Sequence, residues 1–188
     1  MAIVTIPEKG IRIEAYKEAR EFLASYGIVY ATWGKDRVDG DSATPDEILS
    51  AYAGEIEELK RDGGYTTADV IDMRPDTPAI ESMLEKFRKE HTHSEDEVRY
   101  TVKGRGIFHV HSNGGDVISI EVHEGDLISI PRGTRHWFNL CGEKRIRAIR
   151  LFQDRSGWTP HYTDSGIDSL HQPVCLGPYY FQVSETRR

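Results

Sequence analysis

Apolar positions along the chain change their period near residue 90. Across residues 13–26, Tyr16, Ala19, Phe22, Leu23 and Tyr26 recur at helical spacing and Gly27 ends the run. Residues 28–33 then read as a strand, and residues 36–42, polar and containing glycine, as a loop. A second helix opens at Thr44-Pro45-Asp46-Glu47: Thr44 can cap, Pro45 suits the first turn and Glu47 completes a capping box. It carries Ile48, Leu49, Tyr52, Ile56 and Leu59 and stops at Gly63-Gly64. A third helix starts at Thr77-Pro78, with Ile80, Met83, Leu84 and Phe87 on one face. Residues 1–88 are therefore expected to be mostly helical.

From His91 onward the pattern becomes six short runs, at 97–102, 106–111, 117–122, 127–130, 135–140 and 145–152, separated by turns that contain glycine or proline. Short strands at this spacing predict a β-sandwich or barrel over about residues 89–165. The tail, 166–188, is weakly patterned; residues 176–183 are a candidate docking strand and 184–188 a fraying end. All of this fits one domain of 188 residues.

Composition narrows the function classes. The formal charge is −7, which disfavours general nucleic-acid binding, because phosphate contact needs clustered Lys and Arg. There is no apolar run of the roughly 18 residues that a membrane span needs, and the N-terminus does not read as a signal peptide. Two cysteines, Cys141 and Cys175, form no CxxC pair, so a thiolate zinc site is not expected; a disulfide between them stays open, but two cysteines without a signal peptide suit a reducing cytosol. Against them stand eight histidines. A bound metal would have to be held by His and carboxylate.

The segment His91-Thr-His93-Ser-Glu-Asp-Glu97 supplies such donors. His91 and His93 face the same way on an extended chain. Glu97 shares their parity, but six extended residues span about 20 Å, and metal bonds are about 2 Å. The chain must bend at Ser94-Glu95-Asp96. A fourth donor, His136, follows a turn, an apolar strand and a Pro131-x-Gly133 turn. Two His and a carboxylate on one face of an ion are the pattern of non-haem Fe(II) oxygen chemistry, and a third His still leaves two adjacent positions for a bidentate oxygen substrate. Strand parity puts Arg99 and Thr101 on the side of Glu97 and Phe138 on the side of His136, and favours Arg150 inward. Two inward arginines near a metal imply an anionic, oxygen-rich ligand, the alternative for each being structural pairing with a carboxylate or a carbonyl. Asp96, at the bend, is a candidate general base and equally a turn carboxylate. His109-Val-His111 has no carboxylate at matching spacing and reads as structural; His123, His161 and His171 are given no role.

These segments resemble the cupin family. His91, His93, Glu97 and Gly104 fit its first motif, and Gly125, Pro131, Gly133 and His136 its second; Glu85 stands where a leading glycine is usual, and Asn139 comes one residue early. The stretches from Lys86 to Arg99, from Asp126 to Phe138 and from Arg147 to Phe152, with Gly157-Trp158, are similar to the acireductone dioxygenase family of methionine salvage. The resemblance implies a cupin-type double-stranded β-helix (jelly-roll) barrel with the N-terminal helices packed outside. It implies one Fe(II) or Ni(II) per chain, held by His91, His93, Glu97 and His136. The substrate would be the enediol 1,2-dihydroxy-3-keto-5-methylthiopentene, cleaved with O₂. Iron would give 4-methylthio-2-oxobutanoate and formate; nickel would give methylthiopropionate, formate and CO. Asp96 would take a proton, Arg99 and Arg150 would stabilise oxyanions, and Phe87, Phe138 and Trp158 would line the methylthio tail. The expected setting is a cytoplasmic monomer. The competing readings are a Mn oxalate-type oxygenase, a Zn sugar isomerase and a metal-free binding cupin.

Overall fold

The computed structural model describes residues 1–154 and 159–177. Two antiparallel sheets form a cupin-type barrel. One holds seven strands: β1 (Ile3–Ile6), β2 (Ile11–Ile13), β5 (His91–Thr92), β7 (Gly106–His111), β8 (Val117–Val122), β10 (Arg135–Leu140) and β12 (His161–Tyr162), in the order β12-β5-β10-β7-β8-β1-β2. The other holds β3 (Val29–Thr32), β4 (Thr67–Met73), β6 (Glu97–Gly104), β9 (Asp126–Ile130) and β11 (Ile146–Phe152), in the order β3-β9-β6-β11-β4. All six expected strand runs appear, displaced by a residue or two at most at their ends.

Side-chain alternation sorts the core into two layers. Across the seven-stranded sheet, Phe138, Phe108, Ile120 and Val4 stand opposite one another and face the barrel interior with Ile128, Ile130, Ile146 and Ala148. The other face of the five-stranded sheet presents Val98, Tyr100, Val102, Ile149 and Leu151 to α2 (Pro45–Ala51) and α3 (Ala53–Gly63), which bury Ile48, Tyr52 and Ile56 against them. The strand β6 therefore has one apolar face under helices, while Glu97, Arg99 and Thr101 point the other way. That is why three polar residues, all buried, are tolerated on one strand.

Residues 1–88 are less helical than their periodicity suggests, since they contribute four strands. β4 reads poorly because its faces are split: Ala68 and Val70 pack under the helices, whereas Asp69 pairs with Arg150. The expected second helix begins with the full capping box of Thr44 and Glu47 but divides at Tyr52 (φ −112°, ψ 17°). There the Ala51 carbonyl accepts from Arg37, and the Tyr52 ring turns into the core, with its centroid 4.7 Å from that of Tyr100. The helices α1 (Tyr16–Ala24) and α4 (Ile80–Arg88) pack against β3 and β10. Gly104, in the β6–β7 turn, has φ +78°, and a Cβ there would lie 2.0 Å from the Arg145 carbonyl oxygen, so glycine is required.

The cysteines depart from the reduced state expected of them: Cys141 and Cys175 form a disulfide. Leu176 and Gly177 hydrogen-bond to Glu121 through their backbone N–H groups, with no strand assigned to them; residues 178–188, and with them the rest of the candidate docking strand, lie outside the described residues. No described helix is long and apolar enough to cross a membrane.

Four of the histidines without an assigned role have partners nearby, and the fifth, His161, is an exposed residue of β12. His111 pairs with Glu90, His123 with Glu121 and His171 with Glu8. His109 is buried and stacks on Trp137, with centroids 4.9 Å apart and planes 6° apart. Burial, aided by His171, pushes the His109 pKa down to about 4. The ring titrates near 6.5 in an unfolded chain, so its contribution is complete above that pH and is lost as pH falls from about 6.5 to about 4. His109→Phe keeps a stacked ring and removes the titration. Below pH 6.5 the wild-type melting temperature should fall faster than that of the variant; parallel pH profiles would contradict the assignment.

Candidate metal centre

His91 lies on β5, His136 on β10 directly opposite it, and Glu97 opens β6 on the other sheet. The expected bend separates His93 from Glu97, and carboxylates hold it. Glu95 accepts from the N–H groups of Gln153 (3.0 Å) and Asp154 (2.6 Å). Asp96 accepts from the Arg132 N–H (2.9 Å) and the Tyr65 hydroxyl (3.3 Å). Gly133, in the left-handed region at φ +74°, donates its N–H to the His93 carbonyl at 2.9 Å. The Pro131–Gly133 turn is thereby tied to the bend, and the two motifs form one unit.

The result is a cluster of four buried donors. One ligand atom from each of His91, His93, Glu97 and His136 lies within 4.8 Å of the others. Each histidine has its Nδ1 on a backbone carbonyl: His91 on Lys89 (2.6 Å), His136 on Thr134 (2.8 Å) and His93 on Thr159 (3.3 Å). A carbonyl only accepts, so each Nδ1 carries the proton and each Nε2 of a neutral ring carries a lone pair. Burial, followed by the neighbouring His136, brings the His91 pKa down to about 4, so this ring is neutral at pH 7.

Those lone pairs point at one another and at a carboxylate. Glu97 Oε2 is 2.8 Å from His136 Nε2 and 3.2 Å from His93 Nε2, and His91 Nε2 is buried with no hydrogen-bond partner among the described residues. Lone pairs so placed repel unless a cation sits among them. Three imidazole nitrogens and one carboxylate oxygen suit a divalent first-row metal, so the residues fit the group. Burial works to raise the Glu97 pKa, but the carboxyl is held well below its usual range, the Arg99 guanidinium being the largest opposing influence.

Arg99 divides the labour of that carboxylate. Its Nε lies 2.7 Å from Glu97 Oε1, which leaves Oε2 toward the histidines. The guanidinium sits over Phe138 (5.0 Å), Phe108 (5.5 Å) and Phe87 (5.7 Å), so two of the expected pocket aromatics form its cage. Arg150 stands opposite Arg99 on the neighbouring strand, but it is partly exposed and makes a two-pronged pair with Asp69 (2.8 and 2.7 Å). Asp69, Phe87, Arg150 and Thr159 line a cleft of about 470 Å³, and its Thr159 is the residue whose carbonyl orients His93. Trp158 lies outside the described residues. Glu95 was expected only as part of the bend, and the pairing of Asp69 and the three carbonyls carried no sequence signal, because single carboxylates are common and carbonyls belong to every residue.

The family model of the ARD/ARD' family matches residues 30–160. The chain belongs to that family. Among curated relatives, an acireductone dioxygenase of Picosynechococcus sp. is 39% identical over 157 residues, covering 84% of this chain and 89% of the relative. That of Alcanivorax borkumensis is 45% identical over 145 residues, covering 77% and 80%. A solved acireductone dioxygenase from Bacillus anthracis, with a cadmium ion in its active centre, superposes with a TM-score of 0.82 at 35% identity, covering 86% of this chain and 98% of that one. Family membership and the four-donor cluster make this chain a metal-dependent dioxygenase with a cupin barrel.

The pairing of Arg99 with Glu97 has a direct consequence. Arg99→Met keeps bulk against the three phenyl rings and removes the charge that orients Glu97. Metal affinity, read by competition with a chelator, should weaken about 10–100-fold. Unchanged affinity would show that Arg99 does not orient this ligand.

Proposed function

We propose that the protein cleaves the acireductone 1,2-dihydroxy-3-keto-5-methylthiopentene with O₂ in the cytoplasm, as a step of methionine salvage. The observation that carries this reading is the His91, His93, Glu97 and His136 cluster beside buried Arg99, in a chain that matches acireductone dioxygenases over most of its length. These four residues would hold one Fe(II) or Ni(II) per chain. A bound ion there would supply adjacent open positions for two oxygens of an enediolate and for its orientation toward O₂. The iron form would yield 4-methylthio-2-oxobutanoate and formate, and the nickel form methylthiopropionate, formate and CO.

The chain's own groups account for the rest. Arg99 and Arg150, on adjacent strands, are the proposed partners of the substrate oxyanions through the N–H groups that Glu97 and Asp69 do not occupy. Phe87 and Phe138 offer an apolar wall for a thioether, with Trp158 proposed as its third member. Asp96 is the proposed proton acceptor; its turn already holds it by one N–H and one hydroxyl, so its reorientation is restricted. The protein is proposed to work as a monomer.

The deciding assay loads metal-free protein anaerobically with Fe(II) or Ni(II), adds the enediol and O₂, and measures formate and CO. Formate with either metal, and CO with nickel alone, is expected; no O₂ uptake with either metal would overturn the reading. Asp96→Asn keeps the oxygen that accepts from the Arg132 N–H, presents an amide donor to the Tyr65 hydroxyl in place of the second oxygen, and loses basicity. It should retain metal while kcat falls about 10²–10⁴-fold. An unchanged kcat would leave Asp96 solely as the tie between the two motifs.

A further inference from the structure

The face of the seven-stranded sheet turned away from the barrel interior carries a cross-strand row of Trp137, His109, Ser119, Thr5 and Arg12, each opposite the next. Residues 167–177 lie against this face. They are tied to the sheet's residues at the Cys141–Cys175 disulfide and at Glu121, which is 2% exposed and accepts the N–H groups of Leu176 and Gly177. A third tie joins His171 to Glu8 on the turn between β1 and β2. Beneath the segment is a cleft of about 570 Å³, with Thr5, Ser119 and His109 on its sheet side and Leu170, His171 and Val174 on its tail side. His109 Nδ1 is buried with no hydrogen-bond partner among the described residues.

Apolar adhesion holds this segment poorly. Leu170 and Val174 are 79% and 61% exposed, and its other aliphatic side chains, Ile167 and Leu176, are only partly buried. The covalent bond is thus the main restraint, and it closes a loop across a sequence separation of 34. The two sulfurs differ in access: Cys141 is buried at the end of β10, whereas Cys175 is partly exposed. An attacking thiolate therefore reaches Cys175.

We propose that Cys141–Cys175 is a thiol-exchange site, and that its reduction by a dithiol reductant releases residues 167–177 and opens the cleft over His109. The reductant's first thiolate bonds to Cys175 Sγ, the Cys141–Cys175 bond breaks, and Cys141 leaves as a thiolate that takes a proton. The reductant's second thiolate attacks its own sulfur in the mixed disulfide and frees Cys175. Two electrons and two protons pass to the protein, and the reductant ends as a disulfide. Disulfides that cycle in this way are the kind found in reducing compartments.

The test uses the full-length chain purified without reductant. Thiol titration of the denatured protein should find no free thiol before dithiothreitol and two after it. In the native protein, reduction should raise hydrogen exchange at Leu176 and Gly177 about tenfold or more, and should raise the reactivity of His109 toward diethylpyrocarbonate. Cys175→Ser should show both changes without reductant and no response to it. Two free thiols in the oxidised protein, or exchange and His109 reactivity unaltered by reduction, would overturn the proposal.

Discussion

Glu97 is 2% exposed, and an ionised carboxylate that far from water costs several kcal/mol unless opposite charge and hydrogen-bond donors surround it. Much of the barrel is arranged to meet that demand. Arg99, two residues along the same strand, takes one oxygen; the other faces His93 and His136. Arg99 is itself buried and needs both the carboxylate and the three phenyl rings around it. Those rings in turn help fill the interior between the sheets. Removing Glu97 would leave a buried guanidinium uncompensated, so the metal cluster and the core fail together. Coupling of this kind explains why so polar a group can sit inside a domain held mainly by aliphatic packing.

The second constraint is positional. Two ligands come from adjacent strands of one sheet, one from the start of the bend and one from the opposite sheet, and their mutual placement depends on the Ser94–Asp96 bend. Its side chains fix it: Glu95 to the end of β11, Asp96 to the turn before His136. The Gly133 N–H on the His93 carbonyl completes the tie. The acidic residues between the ligands therefore do structural work whatever chemistry Asp96 performs.

The metal cluster was legible because its information is local: HxH parity, a needed bend, and a histidine after a Pro-x-Gly turn. The barrel strands were legible because β6 to β11 alternate strongly. What the sequence hid depends on distant partners. β4 alternates between a helix-facing side and an Asp69 that needs Arg150, so no single period marks it. β1 and β2 are short and complete a sheet whose other members come a hundred residues later. For Arg150 an anionic ligand and a structural carboxylate were both open, and no local pattern marks its bidentate partner Asp69, 81 residues away. The disulfide joins cysteines 34 residues apart that only folding brings together.

The central claim is that three neutral imidazoles and Glu97 bind one divalent ion. X-ray absorption on the Ni(II)-loaded protein tests it most directly. Nitrogen and oxygen donors only are expected, with the multiple-scattering signature of three imidazoles, falling to two in His136→Ala. A sulfur donor, or a spectrum unchanged in that variant, would contradict it.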